Sequence, residues 1–414
     1  MNLKKVVITG LGALTPIGNS VSDYWNALLT GVSGANPITR FPPENFKTKF
    51  ACELKGFNVS DFLDNKEAKK MDACAQYAMV ATMEALRDSG LELEKCNPER
   101  IGVILGTGIG GFYSSYESAK LFVENDFVPR FNPFFIPRVL SNLVSGYISL
   151  QYGFKGPNYV VSSACASAAN AMIDACQMIQ LGKADIVISG GSEACIVPTA
   201  IGGFNAMHAL STRNDDPQTA SRPFDKDRDG FVMGEGAGII ILETYEHAVA
   251  RGAKIYAELA GSGMAEDTYH VVAPQPYGEA AIRSMRLAVE DAGLKLTDVN
   301  HINTHGTSTP LGDVSEIKGI ATLFGEHAPK MVINSIKSMI GHLLGAAPAA
   351  EAIAVIKAIE QDIIPPTINI FHRDEDIPDL NFAAQGAVKQ TVDVALSNSF
   401  GFGGHNITLL FKKL

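Results

Sequence analysis

The segment Val160-Val161-Ser162-Ser163-Ala164-Cys165-Ala166-Ser167-Ala168-Ala169 runs from apolar β-branched residues through small ones to a cysteine, then into an Ala-rich stretch. β-Branched residues favour strands and alanine favours helices, so this is a strand handing over to a helix, with Cys165 at the elbow. A helix N-terminus carries partial positive charge and unpaired N–H groups. Both favour thiolate over thiol, which makes Cys165 a candidate nucleophile. A lone cysteine is more often a core residue, so its significance depends on what the rest of the chain brings to it.

The chain repeats this pattern. Glu84-Ala85-Leu86-Arg87-Asp88-Ser89-Gly90-Leu91 precedes the apolar run Ile101–Leu105 and the Gly-rich turn Gly106–Gly111, and Leu287-Ala288-Val289-Glu290-Asp291-Ala292-Gly293-Leu294 precedes His301-Ile302-Asn303 and the turn His305–Thr309. Val332-Ile333-Asn334-Ser335-Ile336-Lys337 then mirrors the segment leading to Cys165, which puts Lys337 at the equivalent elbow. Short Val/Ile runs alternating with amphipathic Ala-rich stretches indicate an α/β fold with buried strands. The repeated order predicts a duplicated fold of two halves, 1–253 and 254–414, whose elbows face each other.

At 414 residues the chain exceeds the size of a single core. Its 46% hydrophobic and 19% charged content is that of a globular enzyme. A net charge of −10 without a basic patch argues against nucleic-acid binding. The six cysteines form no C-x-x-C pair, no apolar run reaches membrane-spanning length, and Met1–Lys5 leads into a strand rather than a secretory signal. A cytoplasmic protein with reduced thiols is expected.

Three further loops carry candidate chemistry. In His305-Gly306-Thr307-Ser308-Thr309-Pro310, a histidine at a strand end precedes hydroxyls that could grip a polar ligand. The same hydroxyls could cap a helix starting at Pro310. Metal ligation by His301, His305 and Asp313 is disfavoured, because strand positions alternate faces and tetrahedral spacing is absent. In Lys337-Ser338-Met339-Ile340-Gly341-His342, Lys337 and His342 open an otherwise apolar helix, whose N-terminus would keep His342 neutral. Asn398-Ser399-Phe400-Gly401-Phe402-Gly403-Gly404-His405 can aim N–H groups inward as an oxyanion hole or acyl gate, or form a plain hairpin turn.

Together these motifs resemble the β-ketoacyl-acyl-carrier-protein synthases, most closely the elongating condensing enzymes of type II bacterial fatty acid synthesis. The resemblance runs from Val7-Ile8-Thr9-Gly10-Leu11-Gly12 to Leu409-Leu410-Phe411-Lys412, through Leu210-Ser211-Thr212-Arg213-Asn214, Ser221-Arg222-Pro223-Phe224-Asp225, Asp229-Gly230-Phe231-Val232 and Gly234-Glu235-Gly236-Ala237-Gly238. It implies the thiolase-like fold, a duplicated α-β-α-β-α unit in five layers. It implies that Cys165 carries the acyl chain as a thioester and that His305 and His342 act on the malonyl carbonyl. Lys337 would order His342, with support from Asp313 and Glu316. The N–H groups of Cys165 and Phe402 would form the oxyanion hole, Thr307 and Thr309 would contact the phosphopantetheine arm, and Phe402, Phe204 and Ile109 would gate and line the acyl pocket.

The resemblance also implies an acyl carrier protein as partner and a homodimer, and its chemistry requires no metal or redox cofactor. Lys66, Lys69 and Lys70 are expected to dock the acidic carrier. Pro348 and His405 depart from the family pattern, and Pro348 is expected to kink the helix after His342. A degradative thiolase would need a C-terminal cysteine, whereas the last one here is Cys195. Starter condensing enzymes pair cysteine with His and Asn, a non-catalytic chain-length partner would lack Cys165, and a papain-like hydrolase would not need Lys337 or a second histidine. An elongating ketosynthase of a polyketide or aryl-polyene pathway would share the same catalytic set.

Overall fold

The computed structural model describes residues 3–414; Met1 and Asn2, the start of the segment read as leading into the first strand, lie outside the described residues. The Val/Ile runs become strands of one sheet: β1 (Val6–Leu14), β2 (Ile101–Gly106), β3 (Asn158–Val161), β4 (Ile186–Glu193), β5 (Gly236–Thr244), β6 (Ala257–Glu266), β7 (His301–Asn303), β8 (Val332–Asn334), β9 (Val394–Gly401) and β10 (His405–Lys412). Their spatial order is β8-β7-β9-β10-β6-β1-β5-β4-β2-β3.

That order is a duplication. β1 to β5 are arranged 3-2-4-5-1 from the outer edge, and β6 to β10 repeat the arrangement. In each set the three outer strands are parallel and the inner pairings antiparallel. The sets join through β1 and β6, where Val7 pairs with Glu258 and Ile8 with Ala257.

Helices make the remaining layers. α1 (Ala73–Ser89) covers β1 and β5 on one outer face, and α3 (Glu279–Asp291) covers β6 and β10 on the other. Between the two halves of the sheet lie α2 (Ser167–Gln180), against β2 and β4, and α5 (Ala347–Gln361), against β5 and β9; the two helices touch each other. α4 (Pro310–Phe324) packs beside α3. A helix buried between two layers of sheet must be apolar all round, and α5 is from Ala347 to Ile356 apart from Glu351, with Lys357, Glu360 and Gln361 confined to its C-terminal end. These are the five layers of the expected thiolase-like fold.

The duplication extends to single atoms. A Cβ on Gly12 would overlap the carbonyl oxygen of Ala81, and one on Gly263 that of Ser284, so each outer helix approaches its strand closer than any side chain permits. Asp88 accepts from the N–H of Leu11, and Asp291 from that of Ser262, each at 2.9 Å. These aspartates occupy matching places in the repeated octapeptides, each one tying a helix end to an inner strand.

Three expectations need correction. Ala164 and Leu344 both adopt left-handed backbone, with φ of 51° and 50°. Each opens a single 3-10 turn, Ala164–Ala166 or Leu344–Ala346, that runs into a central helix. The counterpart of Cys165 is therefore Gly345, not Lys337. Residues 335–343 are an extra excursion in the second half, holding a four-residue helix, Lys337–Ile340. His342 follows Gly341 outside any helix and bridges to Met233. Pro348 lies in the first turn of α5, where its missing N–H costs nothing, so no kink results.

Candidate active site

Cys165 is 8% exposed and reaches one wall of a cavity of about 500 Å³. His305, His342, Phe402, Thr307 and Thr309 line the same cavity, as do Phe204 and Ile109. The chain thus gathers residues from both halves around the elbow. Lys337 is not among the lining residues; it is buried behind them, 1% exposed.

Burial pushes the Cys165 thiol up to about 12, and Glu193 adds to this; Lys337 and the backbone N–H groups of Phe402 and Cys165 oppose it. The expected donors are present, but desolvation outweighs them, so the resting group is a thiol rather than the thiolate expected from the helix terminus. The turn Phe402–Gly404 joins β9 to β10 as a hairpin and brings its amide to the sulfur. Both readings of this Gly-rich segment, turn and inward N–H donor, therefore hold.

His305 follows β7, and its loop is fixed by Glu316 of α4. The Glu316 carboxylate accepts the N–H groups of His305 and Gly306, both at 2.9 Å, and the Asn398 amide at 3.0 Å. Its pKa is pushed up to about 7 by burial. Asp313 lines the same cavity: it accepts the Phe224 N–H at 3.0 Å, is bonded by the backbone N–H groups of Ser308 and Thr309, and faces Arg228 at 3.5 Å. Both acids expected to support the site therefore contact the loop that follows His305, Glu316 at His305 and Gly306 and Asp313 at Ser308 and Thr309. Thr309 precedes α4 without a side-chain capping bond; its hydroxyl meets that of Thr307 at 3.0 Å.

His342 is held by its backbone, donating to the Val232 carbonyl at 2.7 Å and accepting from Gly234 at 2.9 Å. Burial and the nearby Lys337 charge hold both imidazoles well below the usual histidine range. Both are neutral, as expected for His342, but the cause is burial and not a helix dipole. The Nδ1 atom of each is buried without a partner, leaving the Nε2 edge for the cavity. Aromatic neighbours brace them: Phe402 lies 6.4 Å from Phe204, Phe204 lies 5.3 Å from Phe231, and Phe231 lies 5.3 Å from His342.

The Lys337 ammonium is paired with Glu351, whose carboxyl burial pushes up to about 7. Glu351 and Glu193 were not anticipated from sequence. A signal did exist for Glu351, a lone charge within the apolar run Ala347–Ile356.

Elsewhere, His301 donates to or accepts from no residue of the site, its Nδ1 lying 2.9 Å from the Val332 carbonyl. His405 opens β10 and faces Glu266 across the strands at 3.4 Å. Lys66 and Lys69 are exposed, Lys70 is paired with Glu67 at 2.6 Å, and none of the three lines the cavity. Among the described residues no helix is long and apolar enough to cross a membrane.

A cysteine at a strand-to-helix elbow and two neutral histidines on one cavity, in a duplicated five-layer fold, match a condensing-enzyme architecture. Residues 3–248 match the β-ketoacyl synthase N-terminal domain and residues 256–371 the C-terminal domain, so the chain belongs to the β-ketoacyl synthase family. It is 48% identical to the 3-oxoacyl-[acyl-carrier-protein] synthase 2 of Synechocystis sp., over 99% of this chain and 98% of that one. It is 46% identical to the protein of the same name from Vibrio harveyi, over the whole of both chains. Among solved structures, a β-ketoacyl synthase from Burkholderia phymatum superposes with a TM-score of 0.91 at 34% identity, covering 99% of this chain and 100% of that one. A type II polyketide ketosynthase, solved with its acyl-carrier protein and bound to a hexaketide, gives 0.92 at 32% identity over the whole of both chains.

Proposed function

We propose that this chain is an acyltransferase of fatty acid elongation that joins an acyl group to malonyl-acyl-carrier protein, with loss of carbon dioxide, to give 3-oxoacyl-acyl-carrier protein. The observation that carries this is the convergence of Cys165, His305 and His342 on one cavity, with the Phe402 N–H directed at the sulfur.

In the first half-reaction Cys165 Sγ attacks the acyl thioester. The developing oxyanion is held by the N–H groups of Cys165 and Phe402, and the thiol proton leaves on the carrier thiol. In the second, malonyl-carrier protein enters beside Thr307 and Thr309, and Nε2–H donors of neutral His305 and His342 bond the thioester carbonyl. The carbon–carboxylate bond then breaks, releasing carbon dioxide, and the electron pair passes to an enolate. Its carbon attacks the acyl–Cys165 carbonyl, expelling the sulfur as thiolate, which takes up a proton from water. A thiol with a raised pKa favours that return. Burial, with the Lys337 charge beside it, keeps both histidines unprotonated. Phe402 and Phe204 gate the pocket, and Ile109 lines it. Asp313 supports the site by holding the backbone of Ser308 and Thr309 and by fixing Arg228 and Phe224.

The partner in this reading is acyl carrier protein, docked near Lys66, Lys69 and Lys70. The protein is a cytoplasmic homodimer of chains divided into units 1–253 and 254–414. Support for the dimer comes from edge strand β3, hydrogen-bonded along one side only, and from exposed Phe127, Ile136 and Leu140. The identities of 46–48% favour fatty acid elongation. The polyketide neighbour favours an elongating ketosynthase of a polyketide or aryl-polyene pathway as the second reading. Offering the purified protein acyl- and malonyl-carrier protein, and measuring carbon dioxide with the mass of the product, tests the assignment. Saturated 3-oxoacyl products support fatty acid duty, and acceptance of poly-oxo or polyene chains alone supports the second reading.

A further inference from the structure

Glu193, the last residue of β4, is wholly buried, and the mechanism above does not use it. Its Oε2 accepts the N–H groups of Gly108 at 2.7 Å and Gly345 at 3.0 Å. Its Oε1 accepts the N–H of Ile109 at 3.2 Å and the Thr107 hydroxyl at 3.0 Å, with the Cys195 thiol at 3.5 Å. Every partner is an N–H, O–H or S–H group; none is a cation. A buried charge without a counter-ion is tolerated only when its lone pairs are filled, and here they are.

The backbone donors come from two segments far apart in sequence. Thr107–Ile109 follows β2 and forms the cavity wall at Ile109. Gly345 lies in the turn three positions beyond His342 and is the structural counterpart of Cys165. A Cβ on Gly345 would overlap the Gly108 nitrogen, and one on Gly108 would come within 2.8 Å of Glu193 Oε2. Only a flat acceptor between two glycine backbones fits this gap.

We propose that Glu193 is a positioning residue for the condensation: it locks the Thr107–Ile109 loop to the turn after His342, and so holds His342 and the acyl-cavity wall in register with Cys165. A glutamine here fills the same volume but offers one acceptor oxygen and turns an NH₂ group toward N–H donors. The lock is therefore lost without creating a cavity. The negative charge facing Cys165 disappears too, and its thiol becomes easier to ionise. Misplacement and activation then pull in opposite directions, and exchange that quickens only in the two locked segments separates this from general unfolding, which loosens every element.

The proposal rests on the proposed function only in its kinetic arm. For Glu193→Gln, the expected results are a condensation kcat lowered about 10-fold or more, with KM for malonyl-carrier protein within about 2-fold. Iodoacetamide alkylation of Cys165, read by peptide mass spectrometry, should be several-fold faster. Hydrogen–deuterium exchange should be faster in peptides spanning 107–110 and 342–346. Thr107→Val, which removes one donor and no charge, should lower kcat less, leave alkylation unchanged and loosen the same peptides. If Glu193→Gln does not fold, Thr107→Val decides, and wild-type kcat and exchange in it overturn the proposal. So does wild-type kcat in Glu193→Gln, or alkylation that slows together with kcat. A wild-type protein that performs no condensation refutes the proposed function; the exchange measurement alone then decides the lock.

Discussion

The imidazoles of His305 and His342 meet edge to face, with ring centroids 5.3 Å apart and planes at 87°. This brings two neutral donors from separate loops to one side of the cavity that Cys165 reaches from the other. Replacing either histidine by alanine should leave transfer of the acyl group to Cys165 intact and slow decarboxylation by about 10²–10³, the usual effect of removing one preorganised donor. Acyl-Cys165 should accumulate, and mass spectrometry of the intact protein checks this.

Lys337 and Glu351 are both fully buried and answer each other's charge. Lys337→Ala strands the Glu351 carboxylate in the interior, and breaking one side of a buried pair costs about 3–5 kcal/mol. Lys337→Met with Glu351→Leu removes both charges and should recover most of that stability. The double variant should nonetheless stay slow, because the order of the histidine loop is not restored. Chemical denaturation alongside turnover separates the two effects.

The pH dependence follows from which groups titrate. His305 and His342 are held well below their usual range, so no acid limb near 6.5 should arise from them. Glu316 and Glu351 are pushed up to about 7. As pH falls through that value they take up protons, and the acceptors that fix His305 and balance Lys337 weaken. The acid limb of kcat should therefore lie near 7 as a property of the coupled pair. In stability the sign is opposite. Folded Glu351 holds its proton up to about 7 while the unfolded residue loses it near 4.5. Between those values the folded state binds more protons, so stability is lost as pH rises through the window. Relative to Glu351→Gln, the wild type should become progressively less stable from pH 5 to 7 and level off above. Denaturation midpoints across that range measure it.

Gly401 lies against the elbow, and a Cβ there would stand 2.6 Å from the Ser163 carbonyl oxygen. Gly401→Ala should displace the Phe402 N–H and cut acyl transfer by about 10²-fold, with decarboxylation of malonyl-carrier protein less affected. Single-turnover acylation against carbon dioxide release distinguishes the two.

Charge reversal at Lys66, Lys69 and Lys70 should raise KM for carrier protein several-fold at low salt and hardly at all at high salt. Lys70 already answers Glu67, so most of the change should come from Lys66 and Lys69. An unchanged KM at low salt would place docking elsewhere.

The duplication was legible because it rests on local chemistry. Asp88 and Asp291 stand at matching points of the two octapeptides and perform the same task, holding a backbone N–H of an inner strand. The elbow at Cys165 was readable for the same reason. The equivalence of Lys337 with Cys165 failed because residues 335–343 have no counterpart in the first half; only the shared left-handed backbone of Ala164 and Leu344 reveals the true register. The thiol's raised pKa was invisible too, since a helix terminus shows in sequence and the desolvation around it does not. Glu193 and Glu351 act on partners distant in sequence, Gly345 and Lys337 among them, and no motif spacing announces such contacts.

The central claim is that Cys165 carries the acyl chain and hands it to a carbon nucleophile made by decarboxylation. Peptide mass spectrometry after exposure to acyl-carrier protein, followed by a malonyl-carrier protein chase, tests it directly. The predicted result is one acyl mass on the Cys165 peptide, discharged in step with carbon dioxide and 3-oxoacyl-carrier protein, and absent in Cys165→Ala. An acyl group on another residue, discharge to free acid without a new carbon–carbon bond, or normal elongation by Cys165→Ala would contradict it.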